Sequence, residues 1–318
     1  MILLNKTKYR MNFEGTKEKL WEHGERYLPR FDDSWPPEVR KLREASRYTT
    51  LNRSAGLKRP LLTIASSQMY EISEDISMRL AWTSEFVHSS SLIMDDLECM
   101  DDATLRRGKR ACHLQYGTHT AVLASHDLRT EAERLISDSR LSNYQKVELQ
   151  KELIRASEGL LSGQMIDLRG KDDSLDVILR MHALKTGALI AYALRVPAVA
   201  KRDDLKWHQR YILPLKSKDQ ENIDRDLMML EKVGIDLGIL YQAADDLKDT
   251  NCQMKDIGKD VFVDRRNLVT ALQGDERKVK EIMAKKALSI HENLRKLSRK
   301  PTDLADFLND IIESAMKL

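Results

Sequence analysis

The chain has 318 residues, 42% hydrophobic and 32% charged, with a net charge of only +3. Its lysines and arginines are interleaved with acids rather than massed, which excludes a nucleic-acid binder built on a basic surface. The cysteines, Cys99, Cys112 and Cys252, are scattered and odd in number, so neither a disulfide framework nor a thiolate metal site is expected, and a reducing cytoplasm is the expected location.

The N-terminal MILLNKTKYRMN carries too short an apolar run for a signal-peptide core, and no window reads as a membrane span. With 13 Gly and 7 Pro, little interrupts the chain, and long stretches show the three-four apolar period of amphipathic helices. In chain order, TKEKLWEHGERYL is a helix and PPEV at 36–39 a break. A mostly apolar helix then runs into Asp95. LASHDLRTEAERLI at 123–136 and YQKVELQKELIRASEGLLSGQMIDL at 144–168 are helical. After the charged KRDDLKWHQR, LPLKSKDQEN at 213–222 reads as a second break, and MLEKVGIDLGILYQAADDLKD as a long helix. Alternating strand-like runs are almost absent and no solenoid repeat stands out. The expected architecture is one all-α domain over 1–318, its helices roughly antiparallel, with an N-terminal extension at 1–40 and an insertion at 201–226.

Two acidic clusters stand out. In SSSLIMDDLECMDDATLRRGK, Asp95, Asp96, Asp101 and Asp102 close a helix and are followed by Arg106, Arg107 and Lys109. About 150 residues later QAADDLKD holds Asp245, Asp246 and Asp249, followed by Lys255, Lys259 and Arg265. Residues three, four and seven apart share a helical face. Ser91, His88 and Ser84 therefore form a polar file behind Asp95, and Gln242, Gly238 and Gly234 lie behind Asp245 and Asp249. Glycine inside a helix is unfavourable, so the pair points either to a bulky group approaching that face or to a tight helix crossing. Hard divalent cations take oxygen ligands, and Mg²⁺ is typically held by one or two carboxylates with substrate phosphate and water. Two Asp clusters followed by basic residues suit a polyphosphate clamped through several Mg²⁺ ions, with Arg and Lys on the remaining phosphate oxygens. The chain has no P-loop or glycine-rich nucleotide turn, so a diphosphate on an apolar tail suits an all-helical pocket better.

At these residues the sequence resembles the trans-isoprenyl diphosphate synthases, the farnesyl and geranylgeranyl diphosphate synthase family. Asp95-Asp96-x4-Asp101-x4-Arg106-Arg107-Gly108-Lys109 is similar to the first aspartate-rich motif, and Asp245-Asp246-x2-Asp249 after Gln242 to the second. Gly163-Gln164-x2-Asp167, Lys185-Thr186-Gly187 and Lys255-x2-Gly258-Lys259-Asp260 match the motifs between and after them. The resemblance implies an isoprenoid synthase fold, all-α around a deep central cavity, and a homodimer. It also implies condensation of isopentenyl diphosphate with an allylic diphosphate. Asp95, Asp96, Asp101, Asp245 and Asp249 would then organise the Mg²⁺ ions, with Asp246 in the same motif. Arg106, Lys185 and Lys255 would bind the allylic diphosphate, with Thr186, Gln242 and Lys259 beside them. Arg59, His88 and Arg107 would hold isopentenyl diphosphate.

The sequence also departs from the family. In SAGLKRPLL, Arg59-Pro60 aligns, but Gly56 and Leu57 occupy the places of the family's isopentenyl-diphosphate-binding Lys and the Arg after it; Lys58 is the neighbouring cation. Arg265 and Asn267 replace a Lys and a Thr. The 123–136 helix carries Arg129, Glu131 and Glu133 where relatives are mostly apolar, so it is expected to be rotated or exposed; the alternative is a blocked or polar cavity. Ser90 and Ser91 sit about one turn before Asp95, where a bulky aromatic would stop tail growth, and their small size leads to an expected C20 product. A class I terpene cyclase is disfavoured by the intact second Asp cluster. A non-catalytic partner subunit is supported by Gly56, Leu57 and the charged helix, and opposed by the intact metal motifs.

Overall fold

The computed structural model describes residues 11–202, 217–251 and 267–317. Among these, helices dominate: α1 (Phe13–Tyr27), α2 (Pro37–Thr50), α3 (Lys58–Met69), α4 (Glu74–Asp95), α5 (Cys112–Tyr116), α6 (Thr118–Ser137), α7 (Asn143–Arg169) and α8 (Leu175–His182). A π turn at Ala183–Gly187 leads into α9 (Ala188–Ala200), followed by α10 (Lys218–Asn251), α11 (Leu268–Ala271), α12 (Glu276–Arg295) and α13 (Thr302–Met316). The only strands among the described residues are β1 (Leu105–Arg106) and β2 (Lys109–Arg110), paired antiparallel.

Local chemistry explains several boundaries. Asn12 caps α1 by accepting from the Gly15 amide, and Ser142 with Gln145 forms a reciprocal capping box on α7. Pro37 opens α2, where a missing N–H is harmless. PPEV thus carries a helix start at Pro37 after the non-helical 28–36, and of the second break 218–222 belongs to α10 while 213–216 lies outside the described residues. Arg107 and Gly108 turn the hairpin with φ of 51° and 74°, the left-handed pair that a two-residue hairpin loop requires.

The centre is α4 packed on α6, and α9 packed between α7, α10 and α3. The N-terminal α1 docks through Trp21 and Trp82, whose indole N–H donates to the Leu20 carbonyl at 2.9 Å. Contrary to the expectation above, one stretch, Leu175–Ala200, is long and apolar enough to cross a membrane. Every residue from Leu189 to Ala200 is buried against neighbouring helices, which accounts for its composition.

Gly234 and Gly238 are resolved by the same packing. A Cβ on Gly238 would overlap the Gly187 backbone, and one on Gly234 the Ala191 backbone. The bulky group approaching this face of α10 is another helix, so the tight-crossing alternative holds and the ligand-wall alternative does not.

The 123–136 segment is an amphipathic helix with one buried and one exposed face. Ala121, Ala124, Leu128, Ala132, Leu135 and Ile136 of α6 are buried, while Glu133 faces solvent. Glu131 is buried as well, because Arg43 of α2 meets it at 2.9 Å. Ser46 donates to Asp127 one turn earlier at 2.6 Å. Of the charges that departed from an apolar pattern, Glu131 is matched by Arg43 on α2, and Arg129 and Glu133 pair with each other along α6 at 3.7 Å.

Candidate active site

Asp95 is the last residue of α4, and the chain then folds back so that the Asp101 amide donates to the Asp95 carbonyl at 2.9 Å. Burial lifts the Asp95 carboxyl to about 6; Lys185 opposes this and Asp101 adds to it. Asp96 turns inward and accepts from the Arg106 Nε at 2.8 Å, so Arg106 already neutralises one member of the cluster. The Arg107–Gly108 turn sends the next guanidinium elsewhere, to Glu85 at 2.8 Å. Arg106 and Arg107 thus serve two different carboxylates.

The second cluster divides in the same way. Asp245 and Asp249 are exposed, with Lys248 3.3 Å from Asp245. Asp246 faces the interior, accepting from the Leu268 amide at 2.8 Å and lying 3.6 Å from the His182 imidazole. Its carboxyl is pushed up to about 7 by burial. Asp246, although adjacent in sequence to Asp245, is placed as a bracket between α8, α10 and α11.

Between the clusters stands the π turn. Its extra residue presents Lys185 to Asp167 of α7 as an ion pair, and Thr186 donates to Gln242 at 2.8 Å. Gly163 makes this possible, since a Cβ there would overlap the Lys185 backbone. Three of the motifs read from sequence are therefore joined through one turn of backbone, and Lys185 acts electrostatically on Asp95 of the fourth.

The carboxylate donors are hard oxygens suited to Mg²⁺. No three acidic, His or Cys side chains among the described residues gather into a ready-made cage. That agrees with a cation completed by substrate phosphate rather than by protein alone.

On the other side of α4, His88 lies among Arg59, Arg107 and Arg106. Burial first, then these three cations, hold its pKa well below the ordinary 6.5, so it is neutral at pH 7. Glu85, one turn earlier and fully buried, escaped the sequence reading; its signal was a lone acid within an apolar helix, three residues from His88. Tyr241 and His182 were also missed, because neither belongs to an acidic or basic run. Lys58 points to α10, with its ammonium 4.4 Å from the centre of the Tyr241 ring.

The Ser90 hydroxyl is 2.9 Å from that of Ser125 on α6. Ser91 donates to the His88 carbonyl at 2.8 Å. Lys255, Gly258, Lys259, Asp260 and Arg265, and most of the 201–226 segment, lie outside the described residues.

An all-helical bundle with an acidic cluster ending α4, a second on α10 and a lysine-bearing π turn between them defines the isoprenoid-synthase architecture. Residues 39–297 match the family described as Polyprenyl synthetase, and the chain belongs to that family. It is 32% identical over 256 residues to farnesyl diphosphate synthase of Escherichia coli (strain K12), covering 78% of this chain and 79% of that one. It is also 32% identical over 232 residues to the mitochondrial geranylgeranyl pyrophosphate synthase 10 of Arabidopsis thaliana, covering 70% of this chain and 61% of that one. Among solved structures, an FPP/GFPP synthase from Zymomonas mobilis superposes with a TM-score of 0.75 at 26% identity, covering 95% of this chain and 96% of that one.

Proposed function

We propose that the protein is a Mg²⁺-dependent trans-prenyltransferase that condenses isopentenyl diphosphate with an allylic diphosphate. The observation that carries this reading is the pair of Lys185 on the π turn with Asp167 of α7, the lysine acting on Asp95, while Thr186 is tied to Gln242 one turn before Asp245 and two before Asp249.

In this reading Asp95, Asp101, Asp245 and Asp249 would hold Mg²⁺, and Asp96 would join them once Arg106 turned to phosphate. Bound Mg²⁺ supplies positive charge opposite the diphosphate as it departs from the allylic carbon. Lys185 and Arg106 bind the same diphosphate and stabilise the charge that grows as the carbon–oxygen bond breaks, an effect larger in the transition state than in the ground state. Arg59, His88 and Arg107 hold isopentenyl diphosphate so that its double bond meets the allylic cation. A neutral His88 donates one N–H without adding to the crowding of three arginines. The apolar helix faces exclude water that would quench the cation, and no protein nucleophile is needed.

The proposed product is geranylgeranyl diphosphate, supported by serine rather than an aromatic at 90 and 91; relatives making C15 and C20 match at equal identity. A homodimer is proposed from the apolar stripe Val147, Ile154, Leu161, Met165 and Leu168 on α7, all exposed and spaced to share one face. A cytoplasmic setting is proposed from the unpaired thiols of Cys99 and Cys112.

The test is incubation of the protein with Mg²⁺, labelled isopentenyl diphosphate and dimethylallyl, geranyl or farnesyl diphosphate in turn. Elongated products of C20 are expected; absence of turnover with every primer refutes the reading.

A further inference from the structure

Two buried polar atoms near the start of α3 and on α10 bear on the site. The Tyr241 hydroxyl has no hydrogen-bond partner among the described residues, and neither has the Nε of Arg59. A phenol closed off from water in this way is unfavourable to folding unless something else meets it. Tyr241 lies on α10 one turn before Asp245, and the charges that act on it are Arg59 on one side and Asp245 on the other. The Lys58 ammonium stands over its ring at 4.4 Å. Lys58 and Arg59 at the start of α3 therefore neighbour Tyr241 of α10, and Asp245 acts on both Lys58 and Tyr241.

The neighbouring chain explains why such donors are wanted here. Gly56 is exposed and carries no cation, and Leu57 is buried at φ 48° as the residue that leads into α3. The first cation available on this segment is Lys58, whose ammonium lies over the ring of Tyr241.

We infer that Tyr241 is a substrate-binding residue whose hydroxyl, with Lys58 Nζ and Arg59 Nε, donates to the diphosphate of isopentenyl diphosphate. This rests on the prenyltransferase reading and deepens it. Burial raises the Tyr241 pKa, so the phenol keeps its proton at neutral pH and is a donor. A hydroxyl that served the fold would lower stability when removed, whereas one left unpaired in the free protein leaves stability unchanged or raises it.

The experiment compares wild type with Tyr241→Phe and Lys58→Met. Isopentenyl diphosphate, geranyl diphosphate and inorganic diphosphate are each titrated by calorimetry with Mg²⁺, alongside steady-state kinetics and thermal melting. Tyr241→Phe is expected to weaken isopentenyl diphosphate about tenfold, with geranyl diphosphate and kcat changed less than twofold and a melting temperature equal to or above wild type. Lys58→Met is expected to weaken the same ligand. Unchanged isopentenyl diphosphate affinity in Tyr241→Phe overturns the inference, as does an equal loss for geranyl diphosphate, which would place the hydroxyl on the other diphosphate. Weakening confined to inorganic diphosphate also overturns it. A wild type that turns over no primer refutes the prenyltransferase reading itself, and the binding arms still decide the role of Tyr241.

Discussion

The Glu85 carboxylate meets the Arg107 guanidinium at 2.8 Å, both side chains largely closed off from solvent. Glu85 also acts on Arg59, so one carboxylate from α4 stands between two buried guanidiniums that would otherwise repel. Glu85→Gln keeps the shape and removes the charge. It is expected to raise the KM for isopentenyl diphosphate about tenfold, leave the allylic KM within twofold, and lower stability by about 3 kcal/mol, since a buried pair is broken from one side. Steady-state kinetics and urea melts check both parts; equal effects on the two KM values would show that Glu85 is merely structural.

Asp95 predicts two opposite pH trends over one window. Its folded pKa of about 6 lies above the unfolded value, so the folded protein binds the proton more tightly. The corresponding stability is present at acid pH and lost as pH rises through about 6, at about 1.4 kcal/mol per unit of pKa. Mg²⁺ needs the ionised form, so activity should instead rise through the same range. Thermal melts of metal-free protein between pH 4 and 8 should show wild type losing stability relative to Asp95→Asn as pH rises, and a wild-type minus variant difference that grows with pH contradicts the assignment.

The α7 stripe predicts assembly. Leu161, 65% exposed, and Met165, 62% exposed, lie one turn apart at its middle. Leu161→Glu should convert a dimer to monomers in sedimentation velocity without lowering helix content. A wild type that sediments as a monomer at micromolar concentration rules the interface out.

Product length should respond to Ser91 and Ser90 differently. Ser91→Phe is expected to shift the product from C20 to C15, read by chromatography of the dephosphorylated alcohols. Ser90→Phe must displace Ser125 as well, 2.9 Å away on α6, and should also lower the melting temperature. Unchanged products from both variants would refute the placement of the tail beside α4.

Gly238→Ala is expected to destabilise the fold by about 1–3 kcal/mol through overpacking against the Gly187 backbone, with kcat reduced because Lys185 and Thr186 ride on the displaced turn. Denaturant melts and kinetics on the same preparation check this. A neutral variant would mean that the crossing has slack.

Much of this protein was legible in its letters. Apolar periodicity marked the α4, α7 and α10 helices, and the two acidic runs with Gly163-Gln164, Lys185-Thr186 and Arg106-Arg107 marked the site, because helical spacing and metal–phosphate chemistry are local rules. Local rules cannot say which neighbour a side chain meets. Asp245 and Asp246 are adjacent in sequence, yet one faces solvent and the other the Leu268 amide, since successive residues on a helix point about 100° apart and only the packed neighbours decide which face is the site. Glu131 read as a charge out of place until Arg43, 88 residues earlier, was found against it. By spacing alone Gly234 and Gly238 fit a ligand wall or a helix crossing equally; the backbones of α9 and of the π turn fill the space. The helices and the kind of chemistry were determined by sequence alone; the pairings between them, from Glu85 with Arg107 to the unpaired hydroxyl of Tyr241, were decided by tertiary structure, because long-range contacts depend on how whole helices pack and not on spacing along the chain.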